Sequence, residues 1–152
     1  MTNKKRFKAN IRFFEIEPHS YCNRKCWFCP NSVIDRTGPV KFLDRKVFSQ
    51  VLKDLASIDY SESLSFAGWC EPFSQSRFLD YLKETKECLP NAATTASTNT
   101  DYLTMKIIED AAAIGLGLLR CQLYFDEDEE YTTSAIREKM RKLMMKIGRA
   151  HV

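Results

Sequence analysis

Apolar residues follow two different spacings along the chain, and segments of the two kinds alternate. Short β-branched or aromatic runs, such as residues 11–16, are typical of buried strands. Between them lie longer segments whose apolar residues recur every three or four positions, as on one face of a helix. Asp44 and Thr104 have the side chains expected of helix N-caps, and Gly115 is placed to end the helix that begins after Thr104. The predicted strands are 11–16, 63–67, 93–97 and 118–125, and the predicted helices are 44–57, 76–88, 104–115 and 129–146.

This order of elements predicts an α/β fold. Strand and helix alternate about four times, and the connections have the length of βαβ crossovers. Right-handed crossovers place the carboxyl ends of all strands at one edge of a parallel sheet. Such folds bind their ligands with the loops that leave this edge. Residues with useful chemistry are therefore expected directly after the strands.

Composition narrows the class of protein without naming a ligand. The chain has 152 residues, 44% of them hydrophobic, which suits one packed domain. A net charge of +3 is too small to indicate nucleic acid or a membrane surface. Residues 1–10 are basic and are expected to form a solvated tail. Neither a secretory signal nor a membrane-spanning run is present, so the expected location is the cytoplasm.

Three of the six cysteines stand in one short segment after the first predicted strand. Cys22, Cys26 and Cys29 form the pattern C-x3-C-x2-C. Thiolates are soft ligands that suit iron–sulfur clusters, and short spacers let one loop surround one face of an iron–sulfur cube. Three thiolates leave one iron of a four-iron cluster without a protein ligand, so that a small molecule can bind there. Trp27 and Phe28 are expected to exclude water from this cluster.

Structural zinc is the main alternative for these thiols. Zinc takes four tetrahedral ligands, and His19 or Cys70 could complete the set. No second cysteine or histidine pair follows at the spacing of a zinc finger. Cys70, Cys88 and Cys121 are expected to be packing thiols. A small zinc-stabilised interaction module without catalysis is thus the alternative function.

The cysteine motif, with an aromatic residue before its third cysteine, resembles the signature of the radical S-adenosylmethionine (radical SAM) superfamily. The resemblance implies a 4Fe-4S cluster held by Cys22, Cys26 and Cys29, with S-adenosylmethionine chelating the open iron. In that family the reduced cluster cleaves the sulfonium, and the resulting 5′-deoxyadenosyl radical abstracts a substrate hydrogen. The implied partners are S-adenosylmethionine, a reductant such as flavodoxin or ferredoxin, and an unknown substrate, for which a peptide is one candidate.

The segment after the second predicted strand resembles the family's Gly-Gly-Glu-Pro motif, which helps to hold the methionine amino group. Gly68, Glu71 and Pro72 match that motif, while Cys70 stands where a glycine is usual. A glycine there lets the backbone approach a ligand closely.

The segment after the third predicted strand, residues 97–101, resembles the family's Ser-Thr-Asn-Gly segment near the ribose and the methionine carboxylate. Thr100 replaces the glycine of that segment. The cofactor contacts that the two resemblances imply, together with the aromatic residue of the cysteine motif, are Phe28, Gly68, Trp69, Cys70, Glu71, Ser97 and Asn99.

The resemblance covers about residues 11–126, and residues 124–126 take the place of a Ser-Leu-Asp-Gly-like segment. Gln122 and Tyr124 could point into a barrel or towards the outer helices. Family members build about six βα units, and a complete (β/α)8 barrel takes about 250 residues. The chain is therefore expected to be an incomplete (β/α) barrel, the N-terminal part of a radical SAM core domain (residues 11–146), and inactive by itself. Residues 147–152 look like translated sequencing adapter and are expected to be non-native.

Overall fold

A four-stranded parallel sheet forms the centre of the computed structural model, which describes residues 3–125 and 129–148. The strands lie in chain order and are β1 (Phe13–Ile16), β2 (Ser63–Phe66), β3 (Ala93–Thr98) and β4 (Leu118–Cys121). The helices are α1 (Asn3–Asn10), α2 (Arg45–Ala56), α3 (Phe78–Cys88), α4 (Met105–Ile114) and α5 (Thr133–Lys146). Because α2, α3 and α4 each connect consecutive strands, the predicted α/β fold is confirmed, and it is compatible with part of a (β/α) barrel.

The register of the sheet brings the ends of the strands together. Ile16 pairs with Phe66, Phe66 pairs with Ala96, and Ala96 pairs with Leu119. Since all four strands run in one direction, the segments that leave β1, β2 and β3 meet at a single edge. These segments carry the cysteine motif (residues 22–29), the second motif (residues 68–72) and the third motif (residues 97–101). The second and third motifs are the two supporting motifs.

The hydrophobic core is built from the strands together with α2, α3 and α4. Phe66 of β2 meets Phe78 of α3 edge to face, with 5.2 Å between the ring centroids. Phe48 of α2 meets Tyr81 in the same way at 4.8 Å. All four rings are almost completely buried, and each such side chain stabilises the fold by roughly 1.5–3 kcal/mol.

The helix ends follow the predicted caps. The Asp44 carboxylate accepts hydrogen bonds from the backbone N–H groups of Lys46 and Val47, and α2 begins directly after Asp44, at Arg45. The Thr104 hydroxyl accepts one from the Ile107 N–H at the start of α4. Gly115 ends α4 with a φ of +114°, a left-handed conformation that favours glycine.

The buried face of α2 differs from the prediction. In the sequence, the spacing of Val47, Val51, Leu55 and Ile58 predicts that these residues share one inward face, but Val47 is 54% exposed. Phe48, Leu52 and Leu55 are buried instead. A phenylalanine removes more apolar surface from water than a valine, so the helix turns Phe48 inward.

The two ends of the chain also differ from the predictions. The segment expected to be a solvated tail forms α1, although the residues of this helix whose side chains are described remain exposed. The fourth strand ends at Cys121, whose side chain is exposed, so the prediction that this thiol packs in the core is wrong. Asp126 and residues 149–152 lie outside the described residues.

Among the described helices, none has the length and apolar character needed to cross a membrane.

Candidate functional site

One cavity at the carboxyl edge of the sheet contains all three motifs. It lies between the segments that leave β1, β2 and β3, as the parallel order predicts. The residues predicted from the sequence as metal ligands or cofactor contacts all line it; they are Cys22, Cys26, Phe28, Cys29, Gly68, Trp69, Cys70, Glu71, Ser97 and Asn99. The fold therefore brings together residues that lie up to 77 positions apart, from 22 to 99.

The cysteine loop is held by local hydrogen bonds. The Cys29 N–H donates to the Cys26 carbonyl at 2.9 Å, and the Ser32 N–H donates to the Cys29 carbonyl at 2.9 Å. None of these three cysteines forms a disulfide; Cys22 is buried, and Cys26 and Cys29 are half-buried. Burial raises the pKa of the Cys22 thiol above its usual value, and nearby Cys26 and Cys29 act in the same direction. Binding of a metal would reverse this effect, because thiols bind metals as thiolates.

The donor set suits a soft metal group. Three thiols of one loop face one cavity, and Asn31 in its wall has a buried side-chain oxygen without a hydrogen-bond partner among the described residues. Such an atom indicates that a partner is missing from the site. In the described part of the chain, no three Cys, His, Asp or Glu side chains are grouped so as to hold one metal ion. The thiolates of an iron–sulfur cube bind separate irons and need not converge on one point.

The two aromatic residues of the motif behave differently. Phe28 lines the cavity, and its ring packs against that of Tyr124 with 5.2 Å between centroids. Trp27 is 59% exposed and does not line the cavity, so the prediction that it excludes water from the site is wrong. Its ring makes an edge contact with that of Phe28, with 5.5 Å between the centroids.

Glu71 joins the second motif to the third. Its side chain is 2% exposed. One carboxylate oxygen accepts hydrogen bonds from the Thr98 hydroxyl at 2.8 Å and the Phe73 N–H at 3.2 Å, and the other accepts from the Asn99 N–H at 2.7 Å. Burial raises the pKa of Glu71, while these hydrogen bonds oppose the shift by favouring the carboxylate. The structure thus shows Glu71 connecting two loops.

Glu17 joins the end of β1 to the second motif. One oxygen of its carboxylate accepts hydrogen bonds from the Trp69 N–H at 2.8 Å and from the Arg36 guanidinium at 2.8 Å. A Cβ atom on Gly68 would lie 3.3 Å from the same oxygen, and Gly68 has a φ of +112°. The backbone conformation therefore favours glycine at this position, and a side chain here would also crowd that of Glu17.

His19 is a second connection between these segments, and its environment fixes its tautomer. Its Nδ1 accepts a hydrogen bond from the Tyr21 N–H at 3.2 Å, and its Nε2 donates to the Pro72 carbonyl at 3.5 Å. Burial lowers the pKa of His19, which keeps the ring neutral, as this pattern requires. Because both ring nitrogens are used, this arrangement offers no lone pair to zinc, contrary to the alternative in which His19 is a fourth ligand.

Sequence reasoning did not assign several other residues of the cavity wall. Gln122 and Tyr124 had two possible orientations, and both side chains lie on the cavity wall. Thr98 is a polar residue of the third motif and lies next to Ser97 in the sequence. Its place in that motif could have indicated that it lines the cavity. The full set of additional residues is Arg24, Asn31, Ala67, Thr98, Gln122 and Tyr124.

Thr100 has a left-handed backbone conformation, with a φ of +72°. A β-branched residue is strained there, so we expect Thr100→Gly to raise the free energy of unfolding by about 1 kcal/mol. Chemical denaturation measures the change. Thr37→Gly is the control, because Thr37 is exposed and is not among the residues of positive φ. A Thr100→Gly protein that is no more stable than the wild type would contradict the strain argument.

Comparison with known proteins finds two similar proteins of known description. No protein-family model matches the chain. The S-adenosyl-L-methionine-dependent 2-deoxy-scyllo-inosamine dehydrogenase of Niallia circulans is 34% identical over 104 residues, which are 67% of this chain and 40% of the relative. The tungsten-containing aldehyde ferredoxin oxidoreductase cofactor-modifying protein of Pyrococcus furiosus is 28% identical over 119 residues, which are 78% of this chain and 31% of the relative. The chain thus spans less than half the length of both proteins.

Two solved structures share the fold. The crystal structure of BtrN in complex with AdoMet and 2-DOIA superposes with a TM-score of 0.71 and 26% identity, covering 85% of this chain and 55% of BtrN. Selenomethionine BtrN in an open conformation gives a TM-score of 0.69 and 30% identity, covering 78% of this chain and 52% of BtrN. The chain is therefore similar in sequence and in fold to S-adenosylmethionine-dependent enzymes.

Proposed function

We propose that the chain carries the cluster-binding and cofactor-binding part of a radical SAM enzyme. Cys22, Cys26 and Cys29 are the proposed ligands of a 4Fe-4S cluster, and S-adenosylmethionine is the proposed ligand of its open iron. The observation that carries the proposal is that all three thiols line one cavity with both supporting motifs. When bound, this pair of cofactors supplies reductive cleavage of S-adenosylmethionine to a 5′-deoxyadenosyl radical.

The relatives support this proposal. One similar protein is an S-adenosyl-L-methionine-dependent dehydrogenase, and BtrN was crystallised with AdoMet. The chemistry of the cavity agrees with them, because three soft thiolates suit an iron–sulfur cluster. We infer that the whole protein modifies a substrate by hydrogen abstraction.

The residues of the cavity have separate proposed roles. Gly68 and Trp69 present backbone at the edge of the cavity, where the methionine amino group would bind. Ser97 and Asn99 offer polar groups to the ribose and the carboxylate. Phe28 forms an apolar wall, which helps to keep water from the cluster. Each role is a proposal about a residue that lines the cavity.

A second cavity adjoins the first and has room for the rest of the cofactor. Its volume is about 380 Å³, and Arg24, Asn99 and Tyr124 line both cavities. That volume lies in the range of about 300–1,000 Å³ that is usual for small-molecule sites. We propose that the adenosine part of S-adenosylmethionine extends from the cysteine loop towards this cavity.

The proposed reaction also needs an electron donor. A flavodoxin or a ferredoxin, which are small proteins of the reducing cytoplasm, could supply one electron to the cluster. The exposed side chain of Trp27 and the half-buried Cys26 and Cys29 place this loop near the surface, which a protein reductant requires. Dithionite can replace the protein reductant in the experiment that follows.

Anaerobic reconstitution with iron and sulfide tests the proposal. The reconstituted chain is expected to bind about four irons and four sulfides and to be brown. After reduction with dithionite, its electron paramagnetic resonance spectrum is expected to change when S-adenosylmethionine is added. Stoichiometric zinc without iron would favour the zinc-stabilised module instead. If the spectrum of the cluster does not change when S-adenosylmethionine is added, the assignment of S-adenosylmethionine is overturned, but the assignment of the cluster is not.

A further inference from the structure

A closed ring of three hydrogen bonds joins the cysteine loop to the segment after β3. The Asn99 side-chain amide donates to the Asn23 side-chain carbonyl at 2.9 Å. The Asn23 amide donates to the Asp101 carboxylate at 2.7 Å. The Asp101 backbone N–H donates to the Asn99 side-chain carbonyl at 3.0 Å and completes the ring. Each of the three residues is therefore both a donor and an acceptor within the ring.

Arg24 binds the same carboxylate from a second direction. Its Nε donates to one Asp101 oxygen at 2.7 Å, and one of its terminal nitrogens donates to the other oxygen at 2.8 Å. The side chains of Arg24 and Asp101 are only 22% and 32% exposed. A two-pronged contact of this kind is stronger and more specific in direction than an ordinary surface ion pair.

The position of Asn23 and Arg24 in the motif gives this contact its meaning. Both residues belong to the three-residue spacer between Cys22 and Cys26. The separation of these two thiols depends on the backbone of that spacer, and Asp101 holds two of its three side chains. The hydrogen bonds within the loop after Cys26 do not restrain the spacer, because they join Cys29 to Cys26 and Ser32 to Cys29.

The segment that carries Asp101 is itself bent towards the cysteine loop. Thr100 has a φ of +72°, and its N–H is held by the Thr98 hydroxyl at 3.0 Å. This strained turn sets the direction of the next residue, Asp101. Burial alone would raise the pKa of Asp101, but the hydrogen bonds from Arg24 and Asn23 keep its pKa below the usual value, so the carboxylate stays charged.

We propose that Asp101 is a positioning residue that fixes the Cys22–Cys26 spacer in a ligand-ready conformation before any metal binds. The inference rests on the proposed function, because the ligand role of the two thiols is part of that proposal. It goes further by assigning the order of the loop to a residue outside the cysteine motif. It also gives Asn23 and Arg24 a role that cluster coordination does not require.

Hydrogen exchange of the metal-free chain tests whether Asp101 orders the Cys22–Cys26 spacer. In Asp101→Asn the amides of residues 20–26 are expected to exchange on the order of tenfold faster than in the wild type. Asp110→Asn is the matched control, because it removes the ion pair between Lys106 and Asp110, 2.8 Å long, on the surface of α4. The control is expected to leave exchange in residues 20–26 unchanged.

Reconstitution tests whether this order prepares the thiols to bind a cluster. Asp101→Asn is expected to take up iron several-fold more slowly than the wild type and to give a broader resonance spectrum once loaded. Combining Arg24→Asp with Asp101→Arg restores an ion pair of reversed direction, so this double variant is expected to recover part of the protection and of the loading rate. Arg24→Gln removes the pair from the other side and provides a second measurement if Asp101→Asn folds poorly.

The outcomes separate this inference from the proposed function. A wild-type chain that binds no cluster would defeat the proposed function, and hydrogen exchange would still show whether Asp101 orders the spacer. If the wild type loads a cluster but both single variants match it in exchange and loading, Asp101 is not a positioning residue. Faster exchange spread evenly over β1 to β4 would also overturn the inference, because it would indicate a general loss of stability.

Discussion

Cys26→Ala, reconstituted without oxygen, is expected to hold less than about one iron where the wild-type chain holds about four. Cys26 lies in the middle of the motif, and its thiol lines the same cavity as those of Cys22 and Cys29. Two remaining thiolates leave two irons of a cube without protein ligands, so the cluster is expected to be lost. Iron, sulfide and zinc are measured on the same samples by elemental and colorimetric analysis.

Two other cysteines supply the controls for this experiment. Cys88→Ala removes a half-buried thiol of α3 and is expected to keep the iron content of the wild type. Cys70→Ala removes a buried thiol that lines the cavity but belongs to the second motif. It is also expected to keep its iron, because Cys70 lies outside the C-x3-C-x2-C loop that supplies the three proposed ligands. If Cys70→Ala lost iron while Cys88→Ala kept it, the Cys70 thiol would be a ligand.

The order of elements could be predicted from the sequence because each helix and strand carries its own signals. Asp44, Thr104 and Gly115 mark helix ends through chemistry that acts within a few residues of the chain. The gathering of the three motifs at one edge followed from the parallel order of the strands, which needs only the alternation of βα units. Both predictions are therefore independent of packing in the core.

Features that depend on packing could not be predicted in the same way. The inward face of α2 is set by the fit of Phe48 against Tyr81, two residues on different helices. The fourth strand ends at Cys121, although the apolar pattern continues beyond it. The Gln122 N–H still donates to the Thr98 carbonyl of β3 at 2.9 Å. Pattern alone does not show that residues 123–125 then leave the sheet, since a strand exists only where a neighbouring strand shares its hydrogen bonds.

The contacts of Asp101 could not be predicted from the motifs either. Asn23, Arg24 and Asp101 are polar residues in loops, and each by itself is most simply a solvated side chain. Only the fold brings the spacer of the cysteine motif within 2.7 Å of a carboxylate 77 positions further along the chain, from Arg24 to Asp101. Long-range polar networks of this kind leave no periodic signal, because their members share neither a helix nor a strand.

Glu71→Leu is expected to lower the free energy of unfolding by about 2–5 kcal/mol, a large part of the 5–15 kcal/mol of a typical domain. The carboxylate accepts three hydrogen bonds, from the Thr98 hydroxyl and from the N–H groups of Phe73 and Asn99. Leucine fills a similar space but accepts none of them, so buried donors would lose their partner. Chemical denaturation followed by circular dichroism measures the loss.

Three further variants show whether this loss belongs to the hydrogen bonds of Glu71. Glu71→Gln keeps one acceptor oxygen and is expected to lose less stability than Glu71→Leu. Glu15→Leu changes an exposed glutamate in β1 and is expected to stay within about 0.5 kcal/mol of the wild type. Thr98→Val, combined with Glu71→Leu, completes a double-mutant cycle that isolates the contact between the two motifs. If Glu71→Leu unfolded at the same denaturant concentration as the wild type, Glu71 would not connect these loops, and its carboxylate would be available to a bound cofactor instead.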